Sequence, residues 1–579
     1  MDTEIQVKSD DTQFTQKLAV QRAETTALRW LEVDYNKVGF AVSLVIFCAF
    51  GVLFLRSGLF VAGVMLNDTL LYTESGYRVA HGQMPGIDFT SAHGVLWYVP
   101  LSIAYWLTGD LVRSVPIAFV IFAAIVFILA VYIAVTRLNQ IVGIIVTILC
   151  SVLVMAPWAI GFRLSPQGST HTTAAMGYNK LGFTAILLAS LLAIKPKPSH
   201  SSLASRCDAL FAVTTFALAF YTKMPFGLGV AGMVFLWACF FARENTQIWK
   251  LLGGVIFVMV LLELLIPGIH LGYLGDMIIH ATINQAIDVR SIARAAYETS
   301  PEIIAVAVLP MLALAVHGYC DYRHVIFFSS LVFGSIILLT QSVQGPLLIA
   351  PVAVAIIGIS ELTSERRSYR HGMAVWSTAA ALAFGLSAYF LPAANAVVRH
   401  AWFASRSAPI DNIPRAYASL RVPSDIDLKP LDEAFTNHLS GAQAYAAARS
   451  TESVIPINAL FENEYVHTLT DLPNAQLLCG RAGEQTAILD FANVSSSLLG
   501  HYPVGGYAYV HFGRGFSQFV HWPAERMFAG VDCLFDPKLP DAPSSRDGLW
   551  LVYGSAITSS FTSVGETTFW RVLVRNGTR

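Results

Sequence analysis

Two aspartates stand in a polar stretch that separates two strongly apolar segments of the sequence. Asp68 and Asp88 both lie within residues 66–94, LNDTLLYTESGYRVAHGQMPGIDFTSAHG. A carboxylate that is partly desolvated beside a hydrophobic groove has a raised pKa, and it can take a proton from an attacking hydroxyl as a general base. A second carboxylate can orient the first, or it can share a Mg²⁺ or Mn²⁺ ion with it by oxygen ligation. The pair therefore predicts an acid–base site, and a metal on the same two side chains is left open.

The same stretch also has a purely structural interpretation. Asp68 can cap the helix that the following residues predict, and Gly82 can end that helix. Glu74 and Arg78 would then form an exposed i,i+4 ion pair, and Asp88 would be a turn former. The two interpretations are compatible, because a capping carboxylate can still face a substrate.

Basic residues on the extracytoplasmic side are the candidates for binding a leaving phosphate, which needs positive charge. Lys223, in FYTKMPFG at the outer end of an apolar segment, is the strongest of them, with a lysine that snorkels to the interface as the alternative. His93 lies closest in sequence to the carboxylates. The remaining substrate-binding candidates are Lys180, Arg163, Tyr72, Arg290 and Arg294. A helical salt bridge to a neighbouring acid would explain the last two nearly as well.

The composition is that of a membrane protein. Of 579 residues, 55% are hydrophobic and only 13% are charged, whereas a soluble globular protein has about 25% charged residues. The net charge of -1 gives no sign of a nucleic-acid partner. The first 38 residues are polar and of mixed charge, unlike a cleavable signal peptide, so they are predicted to form a cytoplasmic tail.

About eleven apolar segments are predicted to cross the bilayer fully. They lie near 39–61, 112–135, 140–160, 178–194, 206–222, 224–241, 251–270, 302–317, 325–342, 346–361 and 373–391. A further segment, 95–108, is short and aromatic. The clearest basic loops are 195–206, 243–250 and 364–372. Loops rich in Lys and Arg are usually cytoplasmic. All three of these loops are cytoplasmic only if 95–108 is a juxtamembrane or re-entrant helix that does not cross the membrane.

This topology divides the chain into three parts. Residues 1–38 form the cytoplasmic tail, and residues 39–391 form a polytopic α-helical membrane domain whose first extracytoplasmic loop is 62–94. Residues 392–579 are predicted to form a soluble α/β domain outside the cytoplasm. Strand-length apolar stretches mark that last part, namely TAILDFA, YAYVHFG, GLWLVYG and TFWRVLV.

Two of the seven cysteines, Cys479 and Cys533, lie in this C-terminal part. If the domain is extracytoplasmic, the two can form a disulfide, because disulfides persist in oxidising compartments. The sequence leaves the pairing open. The cysteines of the membrane half are predicted to be small buried hydrophobic residues.

The first loop resembles that of the GT-C superfamily of integral-membrane glycosyltransferases. A first span is followed by Asp68, Tyr72, Gly82, Pro85 and Asp88. A His-Gly turn and an aromatic-rich apolar segment come next. The layout of the rest is similar too, with YNKLG opening one span, TKMPFG opening another and an extracytoplasmic domain closing the chain.

This resemblance implies an inverting glycosyltransferase of a cell envelope, expected in a bacterial inner or plasma membrane. It would move a sugar from a polyprenyl-phosphate donor to a lipid, glycan or protein acceptor outside the cytoplasm. The acid that follows the first span in this family is catalytic or contacts the acceptor, and Asp68 matches it. Asp88 is the nearest match to a second, assisting acid. Many members have an adjacent Asp-Glu pair, whereas Thr69 follows Asp68 here, which leaves the role of the second acid open.

Two other functions fit a polytopic protein. A secondary transporter or lipid-handling protein without catalytic activity would place ionisable residues within its spans and would show inverted repeats. The sequence has no internal repeat, and Glu263 is the acid that stands out within a span. A structural assembly subunit whose outer domain docks a partner is the third possibility.

Overall fold

A computed structural model describes most of the chain between Tyr35 and Gly577. The described residues are 35–57, 66–159, 172–174, 176–242, 246–283, 289–298, 311–312, 315, 321–340, 352–353, 355–357, 360, 383, 390–402, 404–410, 413–423, 465–466, 468–480 and 484–577. They include residues 66–94 of the first loop, the helices on either side of it and most of the C-terminal domain.

The described part of the chain up to residue 340 is almost entirely helical. Its α-helices are α1 Lys37–Ser57, α2 Leu66–Ala80, α3 Val95–Thr108, α4 Leu111–Arg137, α5 Gln140–Met155, α6 Gly177–Ser190, α7 Ser201–Phe220, α8 Met224–Phe240, α9 Thr246–Leu265, α10 Ile269–Ile283, α11 Val289–Glu298 and α12 Tyr322–Thr340. Two short strands, β1 Trp158–Ala159 and β2 Thr172–Thr173, pair between α5 and α6.

Four helices are long and apolar enough to cross a membrane, within the residues described. They are Lys37–Arg56, Leu111–Arg137, Pro198–Phe220 and Thr246–Leu265. Shorter apolar helices, among them α3, α5, α6, α8 and α12, pack between and beside these four. The helical membrane fold is thus present in outline. The count of eleven spans stays a prediction, because the predicted segments 302–317, 346–361 and 373–391 lie largely outside the described residues.

Helix α3 corresponds to the segment that was predicted not to cross. Its 14 residues give a length of about 21 Å, which is shorter than the roughly 30 Å hydrocarbon core. It ends at Gly109, which adopts a left-handed conformation with φ of 67° and donates its N–H to Tyr105 O. The length suits a juxtamembrane helix, and whether α3 crosses stays a prediction.

Helix α2 ends where the glycine pattern predicts. Gly82 has a φ of 85°, in the left-handed region that favours glycine. Its N–H donates to Val79 O at 3.0 Å, and the N–H of Gln83 donates to Arg78 O at 3.0 Å. These two bonds form a Schellman cap, so the predicted end of the helix at Gly82 is confirmed.

The ion pair of α2 is buried, and the prediction of an exposed pair is wrong. Glu74 and Arg78 both have 0% exposed side chains, with Arg78 Nε 3.0 Å from Glu74 Oε1. Arg78 also donates to the carbonyls of Val504 and Gly505, and Ser497 Oγ donates to Glu74 Oε2 at 2.6 Å. The C-terminal domain covers the helix here, a contact that local spacing cannot reveal. The pair therefore joins the first loop to that domain.

Glu74→Gln is expected to lower the free energy of unfolding of the C-terminal domain by about 3–5 kcal/mol, because it leaves the guanidinium of Arg78 buried without its counter-charge. Denaturant unfolding of the purified protein in detergent measures this. The matched control is Glu525→Gln, since Glu525 is exposed and its substitution should be close to neutral. Equal stability of the two variants would contradict the structural role of the buried pair.

The C-terminal domain contains a four-stranded sheet in the order β5-β6-β8-β7. Strands β5 and β6 are parallel, whereas β8 runs antiparallel to both β6 and β7. The strands are β5 Thr486–Ile488, β6 Cys533–Pro537, β7 Phe561–Glu566 and β8 Trp570–Arg575. The helices are α13 Leu472–Cys479, α14 Ser495–Leu499, α15 Ala524–Met527 and α16 Pro543–Ser560. A separate ribbon of β3 Ser407–Pro409 and β4 Arg421–Pro423 precedes them.

Two of the four predicted strands are present, and the other two are not. TAILDFA contains β5 and TFWRVLV contains most of β8, but YAYVHFG makes only isolated bridges, at Tyr507, Tyr509 and Phe512. GLWLVYG lies inside α16, so that prediction is wrong. The buried positions of α16 are Ser545, Gly548, Leu549, Tyr553 and Ile557. That spacing is helical, and a short apolar run by itself does not distinguish a helix from a strand.

A disulfide links Cys479 at the end of α13 to Cys533 at the start of β6. The structure thus forms the pair that the sequence left open. Disulfides persist in oxidising compartments, so the bond is consistent with an extracytoplasmic domain. The side of the membrane on which the domain lies stays a prediction.

Candidate functional site

A cavity of about 1010 Å³ opens where the first loop, the membrane helices and the C-terminal domain meet. Its polar end is lined by side chains from four separate parts of the chain: Asp68, Tyr72, His93, Lys223, His280 and Arg514. Its apolar end is lined by residues of α8 and α12. One cavity therefore offers a charged end and a hydrophobic end, which suits an amphipathic ligand.

Asp68 lies in the first turn of α2, which begins at Leu66, rather than at the capping position before it. It is half-buried, and no described residue forms a hydrogen bond with its carboxylate; its own N–H donates to Asn67 Oδ1 at 2.8 Å. Burial raises the pKa of Asp68 to about 6, against the opposing effects of Lys223 and Arg514. At pH 7 the carboxylate is still mostly ionised, and it is a stronger base than an ordinary aspartate.

Lys223 occupies the break between α7 and α8. Its backbone is extended, with φ of -159° and ψ of 117°, at the position that precedes α8. The ammonium nitrogen lies 4.4 Å from the centre of the Tyr178 ring, a cation–π contact. Burial lowers the pKa of Lys223 to about 8, while the nearby Asp68 acts in the opposite direction. The side chain is therefore largely charged at pH 7 and lines the same cavity as the aspartate.

His93 and Tyr72 add neutral polar groups to the cavity. His93 is buried, with its ring centre 4.2 Å from that of Tyr178. Burial, with a smaller contribution from Lys223, lowers the pKa of His93 well below its usual value, so the ring is neutral. Tyr72 stacks on Trp97 at 4.7 Å. Its buried hydroxyl has no hydrogen-bond partner among the described residues. Buried polar atoms usually have such a partner, and a ligand in the cavity can supply it.

Two other predicted residues lie away from the cavity. The Asp88 carboxylate accepts a hydrogen bond from the Met84 N–H at 2.7 Å in an exposed turn, and it does not line the cavity. Lys180 is buried in α6, where its ammonium donates to Ala156 O. The structure therefore brings Asp68, Lys223, His93 and Tyr72 together and leaves these two outside.

The remaining predicted arginines do not join the cavity either. Arg290 and Arg294 are exposed on α11 and are not among the cavity residues. Arg163 lies outside the described residues. No group of three or more His, Cys, Asp or Glu side chains is placed to hold a metal ion in the described part of the chain. Since Asp68 lines the cavity and Asp88 does not, the two-carboxylate metal site does not fit, and no step below uses a metal.

The sequence leaves Arg514 open between a surface charge and a phosphate contact, and it gives His280 no role. Arg514 lies in the turn HFGRGF, in which the N–H groups of Arg514 and Gly515 both donate to His511 O. Gly513, with φ of 80°, allows the tight turn that presents the arginine to the cavity. His280, from α10, has Nδ1 3.3 Å from Arg514 O. These residues meet Asp68 only through tertiary packing, so no local signal in the sequence marks them.

The apolar end of the cavity extends between two helices. A smaller pocket of about 160 Å³ adjoins it, between α6, α8 and α12. Both spaces are lined by Leu228 and Gly229 of α8 and by Gly334 and Leu338 of α12. The glycines leave room between the helices, so the hydrophobic surface is continuous from the charged end into the helical bundle.

Comparison with known proteins gives a weak structural similarity. No protein-family model matches the chain, and no curated protein matches it. The crystal structure of ArnT from Cupriavidus metallidurans bound to undecaprenyl phosphate is similar with a TM-score of 0.40 and 12% sequence identity, over 93% of this chain and 98% of that chain. At that TM-score the similarity carries no argument, so the function is inferred from the cavity and its residues.

Proposed function

We propose that the protein is a membrane glycosyltransferase of the GT-C type, which moves a sugar from a polyprenyl-phosphate donor to an acceptor hydroxyl. One observation carries the proposal. Asp68 and Lys223 share a cavity that also has an apolar part, which continues between α8 and α12. A polyprenyl-phosphate sugar has the same division, with a hydrophobic tail, an anionic phosphate and a polar sugar. The order of residues in the first loop, which resembles this superfamily, supports the same proposal.

Asp68 acts as the general base in the proposed reaction. Its carboxylate takes the proton of the acceptor hydroxyl while the hydroxyl oxygen forms a bond to the anomeric carbon. The bond between that carbon and the phosphate oxygen breaks at the same time, and its electron pair leaves with the polyprenyl phosphate. Attack from the face opposite the phosphate inverts the anomeric configuration, and no covalent enzyme intermediate forms. Asp68 then releases the proton to water.

Lys223 and Arg514 stabilise the phosphate as it gains charge. Both side chains line the cavity, and both interact electrostatically with Asp68. Preformed positive charge at a leaving group is most effective in a site that excludes water. The buried hydroxyl of Tyr72 and the neutral ring of His93 are hydrogen-bonding groups for the sugar or the acceptor. Asp88, Lys180, Arg290 and Arg294 have no part in this mechanism, and Arg163 remains a substrate-binding residue on the sequence prediction only.

The proposal includes an orientation in the membrane. The N-terminus is cytoplasmic, and the cavity and the domain of residues 392–579 face the outside, as in a bacterial inner or plasma membrane. The disulfide between Cys479 and Cys533 supports this orientation. The acceptor is accordingly a lipid, glycan or protein outside the cytoplasm.

The proposal is tested with purified protein in lipid nanodiscs and a panel of polyprenyl-phosphate sugars and acceptors. Mass spectrometry follows both the free polyprenyl phosphate and the glycosylated acceptor. Transfer is expected with at least one donor. Movement of an intact lipid-linked sugar across the membrane of vesicles that contain the protein, without cleavage of any donor, would instead favour transport. In the structure Glu263 lies near the end of α9 and pairs with His270 at 2.6 Å, so its position does not favour that alternative.

The rate of transfer is expected to depend on pH as a bell-shaped curve. Asp68 must be ionised, and its pKa is raised to about 6, so activity rises as the pH rises through that value. Lys223 must be charged, and its pKa is lowered to about 8, so activity falls above that value. His280 and His511, with pKa values lowered by burial to about 4, are neutral across this window.

The pH dependence of kcat/KM measures this prediction, because it reports groups of the free enzyme. Lys223→Arg keeps the positive charge at high pH, so its alkaline limb should move upward while the acidic limb stays near pH 6. An alkaline limb that stays near pH 8 in this variant would show that another group is responsible.

A further inference from the structure

The helix α10 carries a polar face that contacts several walls of the cavity. His270, Tyr273, Asp276 and His280 recur along it at intervals of three or four residues, which places them on one side of the helix. Of these, only His280 lines the cavity. The other three lie behind it and bond to the segments that carry the cavity residues.

Tyr273 spans the break between α7 and α8. Its buried hydroxyl donates to the carbonyl of Phe220, the last residue of α7, at 3.1 Å. The same hydroxyl accepts the N–H of Met224, the first residue of α8, at 2.7 Å. Lys223 lies between these two residues. A single hydroxyl thus fixes both sides of the break that carries the lysine.

His270 and Gly94 make further hydrogen bonds to the same break. His270 Nε2 lies 2.7 Å from the hydroxyl of Tyr221, and its Nδ1 lies 2.6 Å from a carboxylate oxygen of Glu263. The Gly94 N–H donates to Thr222 O at 3.0 Å. A Cβ on Gly94 would lie 2.2 Å from Tyr221 O, so this approach requires glycine. The break is therefore held by bonds at consecutive residues.

Asp276 connects α10 to the segment that carries the buried histidine of the cavity. Its carboxylate accepts the N–H of Ser91 at 2.8 Å. The hydroxyl of Ser91 in turn accepts the N–H of His93 at 3.0 Å. Farther along α10, His280 contacts the carbonyl of Arg514 at 3.3 Å. One helix face therefore contacts the segments of three cavity residues in turn.

We propose that Tyr273 is a positioning residue for Lys223, and that the polar face of α10 holds the cavity's cations, Lys223 and Arg514, in place relative to Asp68. The inference deepens the proposed function, since it names the element that places the phosphate-binding lysine.

Among the described residues, the backbone of Lys223 bonds only to neighbours along the chain, with its N–H donating to Ala219 O at 2.9 Å and its carbonyl accepting the Phe226 N–H at 3.1 Å. The Tyr273 hydroxyl instead ties the end of α7 to the start of α8 from another helix, so the direction of the Lys223 side chain depends on that bridge. Misplacement of a reacting or stabilising group by about 1 Å can lower a rate about 100-fold.

The test variant is Tyr273→Phe, which removes only the bridging hydroxyl. The matched control is Tyr132→Phe, which removes the hydrogen bond from Tyr132 to Asp208 between α4 and α7, a bond that involves no cavity residue. The first readout is the labelling of Lys223 with acetic anhydride as a function of pH, measured by mass spectrometry of the purified protein. It needs no substrate and no transfer activity.

The labelling midpoint of Lys223 is expected near pH 8 in the wild type and in Tyr132→Phe, as burial lowers its pKa to about 8. In Tyr273→Phe it should rise by about 1 unit or more toward the value of about 10.4 for an exposed lysine, because the loosened break admits water. The second readout is turnover of the lipid-linked donor. Tyr273→Phe should lower kcat at least about tenfold, and removal of the Lys223 charge should then cost less than in the wild type.

These outcomes distinguish a failure of the positioning role of Tyr273 from a failure of the glycosyltransferase proposal. A midpoint and a kcat of Tyr273→Phe that both equal those of Tyr132→Phe would overturn the positioning role, even if the wild type transfers sugar. A raised midpoint would support the positioning role even if no donor is cleaved, in which case the glycosyltransferase proposal alone fails. Thermal unfolding of both variants checks that they retain the fold, since Tyr273→Phe loses two hydrogen bonds to backbone groups and Tyr132→Phe loses one to a carboxylate.

Discussion

Asp68→Asn is expected to lower the turnover number for sugar transfer about 10²–10⁴-fold, the contribution typical of a positioned general base. Asparagine retains the shape of the side chain but has no oxygen basic enough to take the acceptor proton. The carboxylate has no hydrogen-bond partner among the described residues, so the substitution breaks no hydrogen bond that holds the described part of the cavity in shape. The dissociation constant of the donor should therefore change little. Single-turnover rates at saturating donor, combined with equilibrium binding of the donor, measure the two effects separately.

Asp88→Asn is the matched control for this prediction. Asp88 belongs to the same loop and was predicted as an assisting acid, but its carboxylate accepts the Met84 N–H in an exposed turn outside the cavity. The amide oxygen of asparagine can accept the same bond, so turnover should stay within about threefold of the wild type. A loss as large as that of Asp68→Asn would show that the second acid takes part in the reaction and that the present assignment is wrong.

Lys223→Met is expected to have the second-largest effect, about 10²–10³-fold on kcat, the range found when one charge-stabilising group is removed from an active site. Methionine has nearly the length of the lysine side chain without its ammonium, so the volume next to Tyr178 stays filled. The phosphate gains charge chiefly in the transition state, and kcat should therefore fall more than donor affinity. Steady-state kinetics over a range of donor concentrations separates the two parameters.

Lys223→Arg and Arg290→Gln are the controls for that prediction. Arginine retains the charge at position 223, so Lys223→Arg should keep a larger part of the wild-type rate than Lys223→Met. Arg290 is exposed on α11 and is not a cavity residue, so its substitution should change the rate less than about twofold. A loss in Arg290→Gln comparable to that in Lys223→Met would place the phosphate elsewhere than at Lys223, against the proposal.

The part of the site that could be predicted consists of residues whose context is unusual in itself. Asp68 and Lys223 are charged residues at the ends of apolar segments, where a charge is costly and is often functional. The helix that carries Asp68 could be delimited too, because Gly82 is a local signal for its end. Arg514 and His280 have no such signal. The turn that carries Arg514 and the helix that carries His280 reach the cavity only through tertiary packing.

The incorrect predictions also arise because contacts between residues far apart in the sequence are not visible in local pattern. The spacing of Glu74 and Arg78 correctly predicted an ion pair, but its burial depends on carbonyls and a hydroxyl of the C-terminal domain, far along the chain. Likewise, Lys180 and Lys223 both stand near the start of an apolar segment. Only the packing shows that Lys180 donates to a backbone carbonyl within the bundle whereas Lys223 faces the cavity. The local sequence pattern therefore identified candidate residues, and the tertiary contacts distinguish those that line the cavity from those that do not.

The most direct test of the central claim compares the purified wild-type protein with Asp68→Asn in the same lipid, with one polyprenyl-phosphate sugar that the wild type consumes. Both products, free polyprenyl phosphate and glycosylated acceptor, are counted over time. The wild type should release the two in equal amounts, and Asp68→Asn should bind the donor but release both products at least about 100-fold more slowly. Undiminished, stoichiometric transfer by Asp68→Asn would contradict the assignment of Asp68 as the general base.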